Sequence, residues 1–193
     1  MSAETAQLEM VWPWRVPRPT AQPDLAPGYA LRFYAPSDCA AYLDLMHAAG
    51  FGFFNAETMR YWLDAALPDG IFVVLHRASD RLVATAMAAH RPTPLHPFGG
   101  ELGWTAAHPE HTGKHLGQVV CAAATARLIR AGYRHIYLKT DDWRLAAIKT
   151  YLRVGYAPLP YAPGMVERWQ AVCAQLAMPY EPAGEALLER EAD

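Results

Sequence analysis

The stretch ELGWTAAHPEHTGKHLGQVV, residues 101–120, contains three successive local patterns. Its first half has the composition of a strand, and Pro109 closes that strand because proline cannot donate to a sheet. A polar loop with Gly113 comes next. The apolar run after the loop predicts a long helix over residues 115–132. This order of strand, glycine-containing loop and helix is the feature from which the rest of the chain is interpreted.

The loop in this stretch is predicted to bind an anion. The first amides of a helix have no partner inside the helix, and they lie at the positive end of the helix dipole. Gly113 and Gly117 allow the backbone to turn tightly, and Lys114 adds a positive charge. The sequence therefore predicts a site that suits a diphosphate group.

The histidines of the same stretch raise a metal site as the alternative. His108, His111 and His115 would supply three imidazoles, a ligand set that suits zinc. However, Pro109 lies between the first two, so the three side chains are not expected to share one helical face. No aspartate or cysteine set completes a recognised ligand pattern around them. We therefore assign no metal to this stretch.

The composition indicates one globular domain without a nucleic-acid or membrane partner. The chain has 193 residues, 52% of them apolar, which is enough for one well-buried domain and short for two. A formal net charge of −2 gives no basic excess, and no apolar run is long enough for a membrane span. The cysteines, Cys39, Cys121 and Cys173, form no C-x-x-C pair, and the N-terminus lacks a secretory signal pattern. We therefore predict a cytoplasmic protein.

The periodicity from residue 29 onward predicts the element order β-α-α-β-β-β-α-β-α-β. The early strands are joined by short turns and should pair antiparallel, whereas the later strand–helix–strand units imply parallel pairing. The result is an α/β fold with a mixed, mostly antiparallel central sheet flanked by helices. Ser37 or Asp38 is expected to cap the first helix, Asn55 the second, and the pair Asp141–Asp142 the helix before Gly155. The strands are predicted at 29–35, 71–76, 81–91, 100–110, 134–140 and 156–161, and the helices at 37–50, 55–67, 115–132, 141–155 and 164–177.

The two ends of the chain are predicted to lie outside the domain. Residues 1–28 hold five of the 16 prolines, which remove amide donors and stop helices, so they are predicted to form an extended arm rich in proline and tryptophan. Trp12 and Trp14 are candidates for attaching this arm to the domain or to a second subunit. Residues 29–180 form the single domain, and residues 181–193 form a polar tail.

Three motifs in the second half of the chain resemble those of the GNAT superfamily, the acyl-CoA-dependent N-acetyltransferases. In that family a strand ends at a V-x-P-like corner, followed by a [Q/R]-x-x-G-x-[G/A] pyrophosphate loop, a long helix and later an N-x-x-A-x-x-x-Y-x-x-x-G-[F/Y] helix. Here the corner is AHPEH, the loop is TGKHLG and the later helix is RLAAIKTYLRVGY. The resemblance is close over residues 101–157 and extends back to about residue 29. It implies acetyl-CoA, or another acyl-CoA, as cofactor and N-acyl transfer as the activity.

The sequence departs from the family pattern at three positions. Thr112 stands where the loop has its leading Gln or Arg, His115 replaces its first glycine, and Arg144 replaces the helix asparagine. Backbone amides bind the pyrophosphate in this family, and His115 keeps its amide. We expect the loop to bind it still if the φ angle of His115 is negative.

The resemblance assigns roles to individual residues. Glu101, which lies 11 residues before Thr112, matches the glutamate that accepts the proton of the amine, and Tyr151 matches the tyrosine that protonates the leaving thiolate. A backbone amide near Ala106 or Ala107 would polarise the acyl carbonyl, where the family strand splays open. The acceptor contacts are expected to be Tyr61, Arg91, His96 and Phe98. The cofactor contacts are expected to be Ala106, Ala107, His108, Thr112, Gly113, Lys114, His115, Leu116, Gly117 and Arg144.

The acceptor is expected to be an amine of a small molecule, and a homodimer is possible because relatives often dimerise. The balanced charge argues against a strongly basic peptide but leaves amino acids, polyamines, aminoglycosides, pathway intermediates and protein termini open. Two other functions also stay open. One is different chemistry in the same cleft, such as decarboxylation or dehydration, and the other is a CoA-binding module without catalysis.

Overall fold

A computed structural model of the chain describes residues 6–13 and 24–184. None of the helices in this part of the chain combines the length and the apolar character that a membrane span requires. The strands are β1 (Leu8–Val11), β2 (Tyr29–Phe33), β3 (Ala66–His76), β4 (Arg81–His90), β5 (Gly100–Ala107), β6 (Ile136–Thr140) and β7 (Ala157–Leu159). The helices are α1 (Cys39–Ala48), α2 (Ala56–Ala65), α3 (Leu116–Arg130), α4 (Leu145–Val154) and α5 (Met165–Leu176).

The strands form one sheet in the order β2-β3-β4-β5-β6-β1-β7. Neighbouring strands pair antiparallel except for β5 and β6, which are parallel and joined through α3. A crossover of this kind is what a parallel pair needs, because a short turn cannot return the chain to the same end of the sheet. The predicted α/β class and the mostly antiparallel mixed sheet are confirmed.

The sheet separates two hydrophobic cores. Helices α3, α4 and α5 cover one face, where residues such as Leu102, Cys121 and Ile148 pack together. Helices α1 and α2 cover the other face with Met59, Trp62 and their neighbours. Strand β4 is buried along residues 82–89 because it is covered on both sides, and its alanines allow the helices to approach closely.

The predicted N-terminal arm contains a strand of the sheet, which the sequence analysis did not identify. β1 lies between β6 and β7 and pairs antiparallel with both. Its four residues, Leu8–Val11, are all buried, including the charged Glu9, and so short a strand leaves only a weak local signal in the sequence. Trp12 is 2% exposed and packs edge-on against Tyr156, with ring centroids 5.4 Å apart. Trp14 lies outside the described residues, and the predicted domain boundaries stay predictions.

The helix caps follow the sequence in one case and depart from it in another. The Asn55 side chain accepts a hydrogen bond of 2.9 Å from the amide of Thr58, so the predicted cap of α2 is confirmed. Asp38 lies at the N-cap position of α1, as one of the two alternatives predicted, and Ser37 lies in the 3₁₀ turn before it. The Asp38 side chain, however, forms no capping hydrogen bond with α1. Its carboxylate instead accepts from the amide of Ala35 at 2.7 Å and forms an ion pair with Arg32 at 2.6 Å.

The acidic pair before α4 has a different role from the predicted cap. The helix begins one residue after Arg144, and neither aspartate caps it. The Asp141 carboxylate accepts from Nε of Arg144 at 3.0 Å, and Asp142 forms a bidentate ion pair with Arg168 of α5. Charge pairing with arginines outweighs capping here, because a fork-shaped guanidinium binds a carboxylate through two hydrogen bonds. The pair therefore joins the entry of α4 to α5.

Because β1 is buried between two strands, we predict that shortening a side chain in it destabilises the whole domain. Met10 is fully buried, and Met10→Ala should lower the free energy of unfolding by about 2–5 kcal/mol. Val166→Ala, at a position of α5 that is 40% exposed, is the matched control and should change it by about 0.5 kcal/mol or less. Urea unfolding of both variants measures this. A Met10 variant as stable as the control would show that β1 does not belong to the core.

Candidate active site

The sheet is open between β5 and β6. The two strands pair at Gly100 with Ile136 and at Glu101 with Tyr137, and β5 then continues to Ala107 without a partner on that side among the described residues. Unpaired strand edges expose amide and carbonyl groups that can pair with an extended ligand. The strand splay that the family resemblance implies is therefore present in this chain.

A β-bulge in β5 accompanies this opening. Met87 of β4 pairs with Gly103, but Thr85 pairs with Ala106, so β5 contains one extra residue in between. Trp104 lies at the bulge with a φ of 48°. A bulge bends its strand and redirects side chains. Here it turns β5 away from β6 at the point where their pairing ends.

Glycine inside the strand is the sequence signal that could have revealed the bulge. Gly103 lies under the Trp62 ring, and a Cβ atom there would be 3.4 Å from that ring. A glycine inside a strand pattern often marks a bulge or a close approach of another group. Thr105 also lies in this part of β5, with its hydroxyl 3.5 Å from the Cys121 sulfur, and no sequence motif singles it out.

Glu101 is the last residue of β5 that pairs with β6, and its side chain is 12% exposed. Its Oε2 accepts a hydrogen bond of 3.3 Å from the Tyr137 hydroxyl and lies 3.6 Å from Nε of Arg91. Burial raises the pKa of the Glu101 carboxyl above its ordinary value, while the charges of Arg91 and Lys139 and the Tyr137 hydrogen bond lower it in part. A carboxylate with a raised pKa is a stronger base than an exposed one.

Tyr151 lies on α4 and is buried in the core on the α3 face of the sheet. Burial raises the pKa of its phenol, so the phenol keeps its proton through the neutral range. Glu101 and Gly103 point to the opposite face, where Trp62 packs. The two predicted catalytic side chains therefore lie on opposite faces of β5, and the opening between β5 and β6 connects these faces.

The loop before α3 leaves its amides unpaired, as predicted. Residues 109–111 form a 3₁₀ turn after β5, and α3 begins at Leu116. Among the described residues, no acceptor pairs with the amides of residues 113–117, and Gly113, Lys114 and His115 are exposed. Gly113 has a φ of 75°, which glycine adopts without strain. A run of free amides at a helix start fits a phosphate-bearing ligand.

The backbone of His115 differs from the expectation. Its φ is +56°, in the left-handed region, rather than negative. Histidine adopts this conformation more readily than branched residues do, although at a cost relative to glycine. The negative φ on which we made pyrophosphate binding conditional is therefore absent. His115 instead takes a conformation that a glycine at this loop position adopts without strain, and binding of pyrophosphate by the loop stays a prediction. Thr112, the first residue of the loop, has an ordinary extended backbone with a φ of −63°.

Two of the predicted cofactor contacts are already engaged within the protein. The amide of His108 donates to the carbonyl of Val83 at 2.8 Å, and its Nε2 accepts from Arg81 at 2.9 Å. His108 is 6% exposed, so neither group is available to a ligand and that prediction is wrong for this residue. Arg144 is held by Asp141, and its guanidinium carbon lies 4.4 Å from the centroid of the Phe51 ring. Its contact with a cofactor stays a prediction.

Of the four predicted acceptor residues, two lie beside Glu101, one is buried and one is exposed. Tyr61 and Arg91 lie together, because Nη1 of Arg91 donates to the Tyr61 hydroxyl at 2.7 Å, and both adjoin Glu101 through Arg91. His96 is 3% exposed, and its Nε2 donates to the carboxylate of Glu9 at 2.7 Å. The expected contact of His96 with the acceptor is therefore wrong. Phe98 is 82% exposed, and its contact with the acceptor stays a prediction.

Two of the predicted histidines, His108 and His111, lie beside the loop with Glu110, and the three hold ligand atoms within 4.8 Å of one another. Both ring nitrogens of His108 already face donors of the protein, since Nε2 lies 2.9 Å from Nη2 of Arg81 and Nδ1 accepts from the amide of Glu110 at 3.3 Å. Arg81 also lies 3.5 Å from Glu110. Since this guanidinium already supplies positive charge to the cluster, the arrangement does not favour a metal ion.

The environment of Glu101 predicts how its replacement changes stability with pH. Because the folded state raises its pKa, the folded state binds this proton more tightly than the unfolded state does. The contribution of Glu101 to the free energy of unfolding is therefore fully present below the ordinary glutamate pKa. It is lost as the pH rises through the raised pKa of the folded state. Glu101→Gln should gain stability relative to the original protein in urea unfolding as the pH rises above about 4, the ordinary pKa of a glutamate. A difference that does not vary with pH would contradict the raised pKa.

The left-handed backbone of His115 predicts a stabilising substitution. His115→Gly should raise the free energy of unfolding by up to about 1 kcal/mol, because glycine adopts a positive φ without strain. Lys114→Gly is the control, since Lys114 is not among the residues with positive φ. The control should lose about 0.5–1 kcal/mol. Thermal unfolding of both variants checks this, and equal losses would refute the strain at His115.

Comparison with known proteins agrees with this geometry. The sequence pattern of the Acetyltransferase (GNAT) family matches residues 39–156. No curated protein sequence matches the chain. A GCN5-related N-acetyltransferase from Sphaerobacter thermophilus superposes with a TM-score of 0.62 at 18% identity, covering 79% of this chain and 49% of that one. A GNAT-family acetyltransferase from Colwellia psychrerythraea gives a TM-score of 0.61 at 14% identity, covering 79% and 52%.

A tandem GNAT protein from the clavulanic acid biosynthesis pathway gives a TM-score of 0.60 at 16% identity, covering 79% of this chain and 50% of that one. The chain thus spans about half the length of these three proteins. At such identities the likeness shows the fold alone. The family pattern, however, covers more than half of the residues, from α1 through β5, the loop and α4. The chain therefore belongs to the GNAT acetyltransferase family.

Proposed function

We propose that this protein transfers an acetyl or another short acyl group from acyl-CoA to an amine of a small molecule. The observation that carries the proposal is the opening between β5 and β6, with free loop amides at one end and Glu101 at the other. A thioester held in this opening would lie between a base on one face and a phenol on the other. Family membership and the names of the similar structures, which include acetyltransferases, support the same activity.

The residues present fit an acyl-CoA. Amides of residues 113–117 would bind the diphosphate, and Lys114 would add one positive charge beside it. The unpaired edge of β5 after Glu101 offers amide and carbonyl groups to the extended amide-containing arm. The amide of Ala107 would polarise the acyl carbonyl from this edge, whereas that of Ala106 faces Thr85 of β4. When bound, the cofactor supplies the activated acyl carbon.

Glu101 and Tyr151 would complete the reaction by moving two protons. Glu101 takes a proton from the amine, whose nitrogen forms a bond to the acyl carbon as the carbon–sulfur bond breaks. The sulfur leaves as a thiolate and takes the phenolic proton of Tyr151, which is then replaced from the solvent or from the amine-derived proton. Their placement on opposite faces of β5 suits this division, because the amine and the thiolate would then use different sides of the opening.

Direct attack is favoured over an acyl-enzyme intermediate. Cys121 is the cysteine nearest to the opening by its contact with Thr105, but it is fully buried in α3. Burial raises the pKa of the Cys121 thiol to about 12. Such a thiol stays protonated at neutral pH and is a poor nucleophile.

The proposal predicts the effects of removing the two proton-transfer groups. Glu101→Gln should lower kcat/KM for acyl transfer by about 10²- to 10⁴-fold, and Tyr151→Phe should lower kcat by about 10-fold or more. Release of the CoA thiol from acetyl-CoA, with a panel of primary amines as acceptors, is the measurement. Glu57→Gln, at an exposed position of α2, and Tyr180→Phe, whose hydroxyl has no partner among the described residues, are the controls.

A binding measurement separates this proposal from the other functions of the same fold. Acetyl-CoA at 100 times its Kd should stabilise the protein by about 2.7 kcal/mol, which thermal unfolding detects. The absence of any stabilisation at millimolar acetyl-CoA would refute the proposal. Stabilisation without transfer to any amine would instead favour a CoA-binding module or different chemistry in the same cleft.

A further inference from the structure

The residue best placed to select the acceptor is Arg91, at the end of β4. Its amide donates to the carbonyl of Gly99 at 2.9 Å, and its own carbonyl accepts from the Tyr137 hydroxyl at 2.7 Å. Its guanidinium lies 4.5 Å from the centroid of the Trp62 ring and donates to the Tyr61 hydroxyl at 2.7 Å. The position of this cation is thus fixed at both its backbone and its side chain.

This cation lies directly beside the predicted base. The distance from Nε of Arg91 to Oε2 of Glu101 is 3.6 Å, which is an ion pair but is longer than a hydrogen bond. The Arg91 side chain is 32% exposed, and among the described residues only Tyr61 accepts a hydrogen bond from it. A guanidinium has five N–H groups. Most of its donors therefore remain available to a ligand that approaches Glu101.

An aromatic surface continues from Arg91 along the same face of the sheet. We define it as Phe51, Phe53, Trp62 and Trp104. The Trp104 ring at the bulge lies 5.5 Å from Trp62, 5.6 Å from Phe51 and 6.2 Å from Phe53 between centroids. Phe53 is 67% exposed and Trp104 is half-buried, whereas Phe51 and Trp62 belong to the buried core that supports them. A flat apolar group could pack against Phe53 and Trp104 while the polar end of the same molecule reached Glu101.

We propose that the acceptor is an α-amino acid with a large, preferably aromatic, side chain. This inference rests on the proposed acyl transfer and names the substrate class for the same site. The amine would bind Glu101, the α-carboxylate would bind the free donors of Arg91, and the side chain would pack on the aromatic surface. An α-amino acid carries its two opposite charges one carbon apart, which matches two protein charges that lie 3.6 Å apart.

The same arrangement disfavours the polycationic acceptors that the sequence left open. A polyamine or an aminoglycoside would bring further positive charges near Arg91, and like charges at short range are repelled. A plain aromatic amine would fill the aromatic surface but would leave the Arg91 donors without a carboxylate. The pair of charges therefore selects for a carboxylate in addition to the amine.

Three acceptors that differ by one group each test this assignment in the acetyl-CoA assay. They are L-phenylalanine, phenethylamine, which lacks the carboxylate, and L-alanine, which lacks the ring. L-Phenylalanine should have the highest kcat/KM, by about tenfold or more over each of the others. Arg91→Gln should abolish the preference over phenethylamine and retain the preference over alanine. Phe53→Leu, at the exposed part of the aromatic surface, should do the reverse, and Arg60→Gln, at an exposed position of α2, is the control.

Phenethylamine used as well as L-phenylalanine by the original protein would overturn the assignment, whether or not the variants fold. So would an Arg91→Gln variant that lowers the rates with both acceptors equally, because that result indicates a merely structural role. In that case acyl transfer itself would still stand.

Calorimetry with the protein saturated in CoA separates the two proposals. The site should bind L-phenylalanine more tightly than it binds phenethylamine or 3-phenylpropionate, which lacks the amine. Preferential binding without any transfer would refute the proposed reaction and leave the ligand class in place. An absence of both binding and transfer for L-phenylalanine would overturn the inference.

Discussion

The separation of β5 from β6 after Glu101 is the constraint on which the rest of the site depends. Parallel strands normally continue their hydrogen bonds, and unpaired backbone groups inside a protein are costly unless something else satisfies them. Here the bulge at Trp104 bends β5 away after two paired positions. The exposed edge is therefore available to an extended ligand, and the loop that follows β5 presents its free amides at the far end of this edge.

The pKa of Glu101, the predicted base at the start of the opening, is determined by opposing effects. Burial raises the pKa of the Glu101 carboxyl, whereas Arg91 and Tyr137 stabilise its ionised form and lower the pKa in part. Arg91 is in turn held by contacts with Trp62 and Tyr61. The aromatic residues of α2 thus fix the cation, and the cation limits how far burial raises the pKa of Glu101. A carboxylate with a raised pKa is a stronger base than an exposed one.

The elements that could be predicted from the sequence are those that depend on residues close together in the chain. The helix after the loop, the Asn55 cap and the closing of β5 near Pro109 depend on neighbouring residues, and all are present. β1 was missed because it has only four residues and lies among prolines, and because its partners lie more than 120 residues away in the chain. His96 was misassigned for a similar reason, since its burial depends on Glu9. Long-range pairing of this kind leaves no periodic pattern to read.

The missed strand also contributes to the environment of the base. Glu9 of β1 forms a buried hydrogen bond with His96 and lies 3.7 Å from Nζ of Lys139. The His96 ring stacks on Tyr137 with centroids 4.1 Å apart, and the Tyr137 hydroxyl donates to Glu101.

Glu9 and Glu101 repel one another, so Glu9 raises the pKa of Glu101 while Lys139 of β6 lowers it. Displacing β1 would remove a negative charge from these surroundings and free the His96 ring from its carboxylate. The N-terminal strand is therefore part of the electrostatic surroundings of the predicted base, because Glu9 acts on Glu101 directly and holds the His96 ring that stacks on Tyr137.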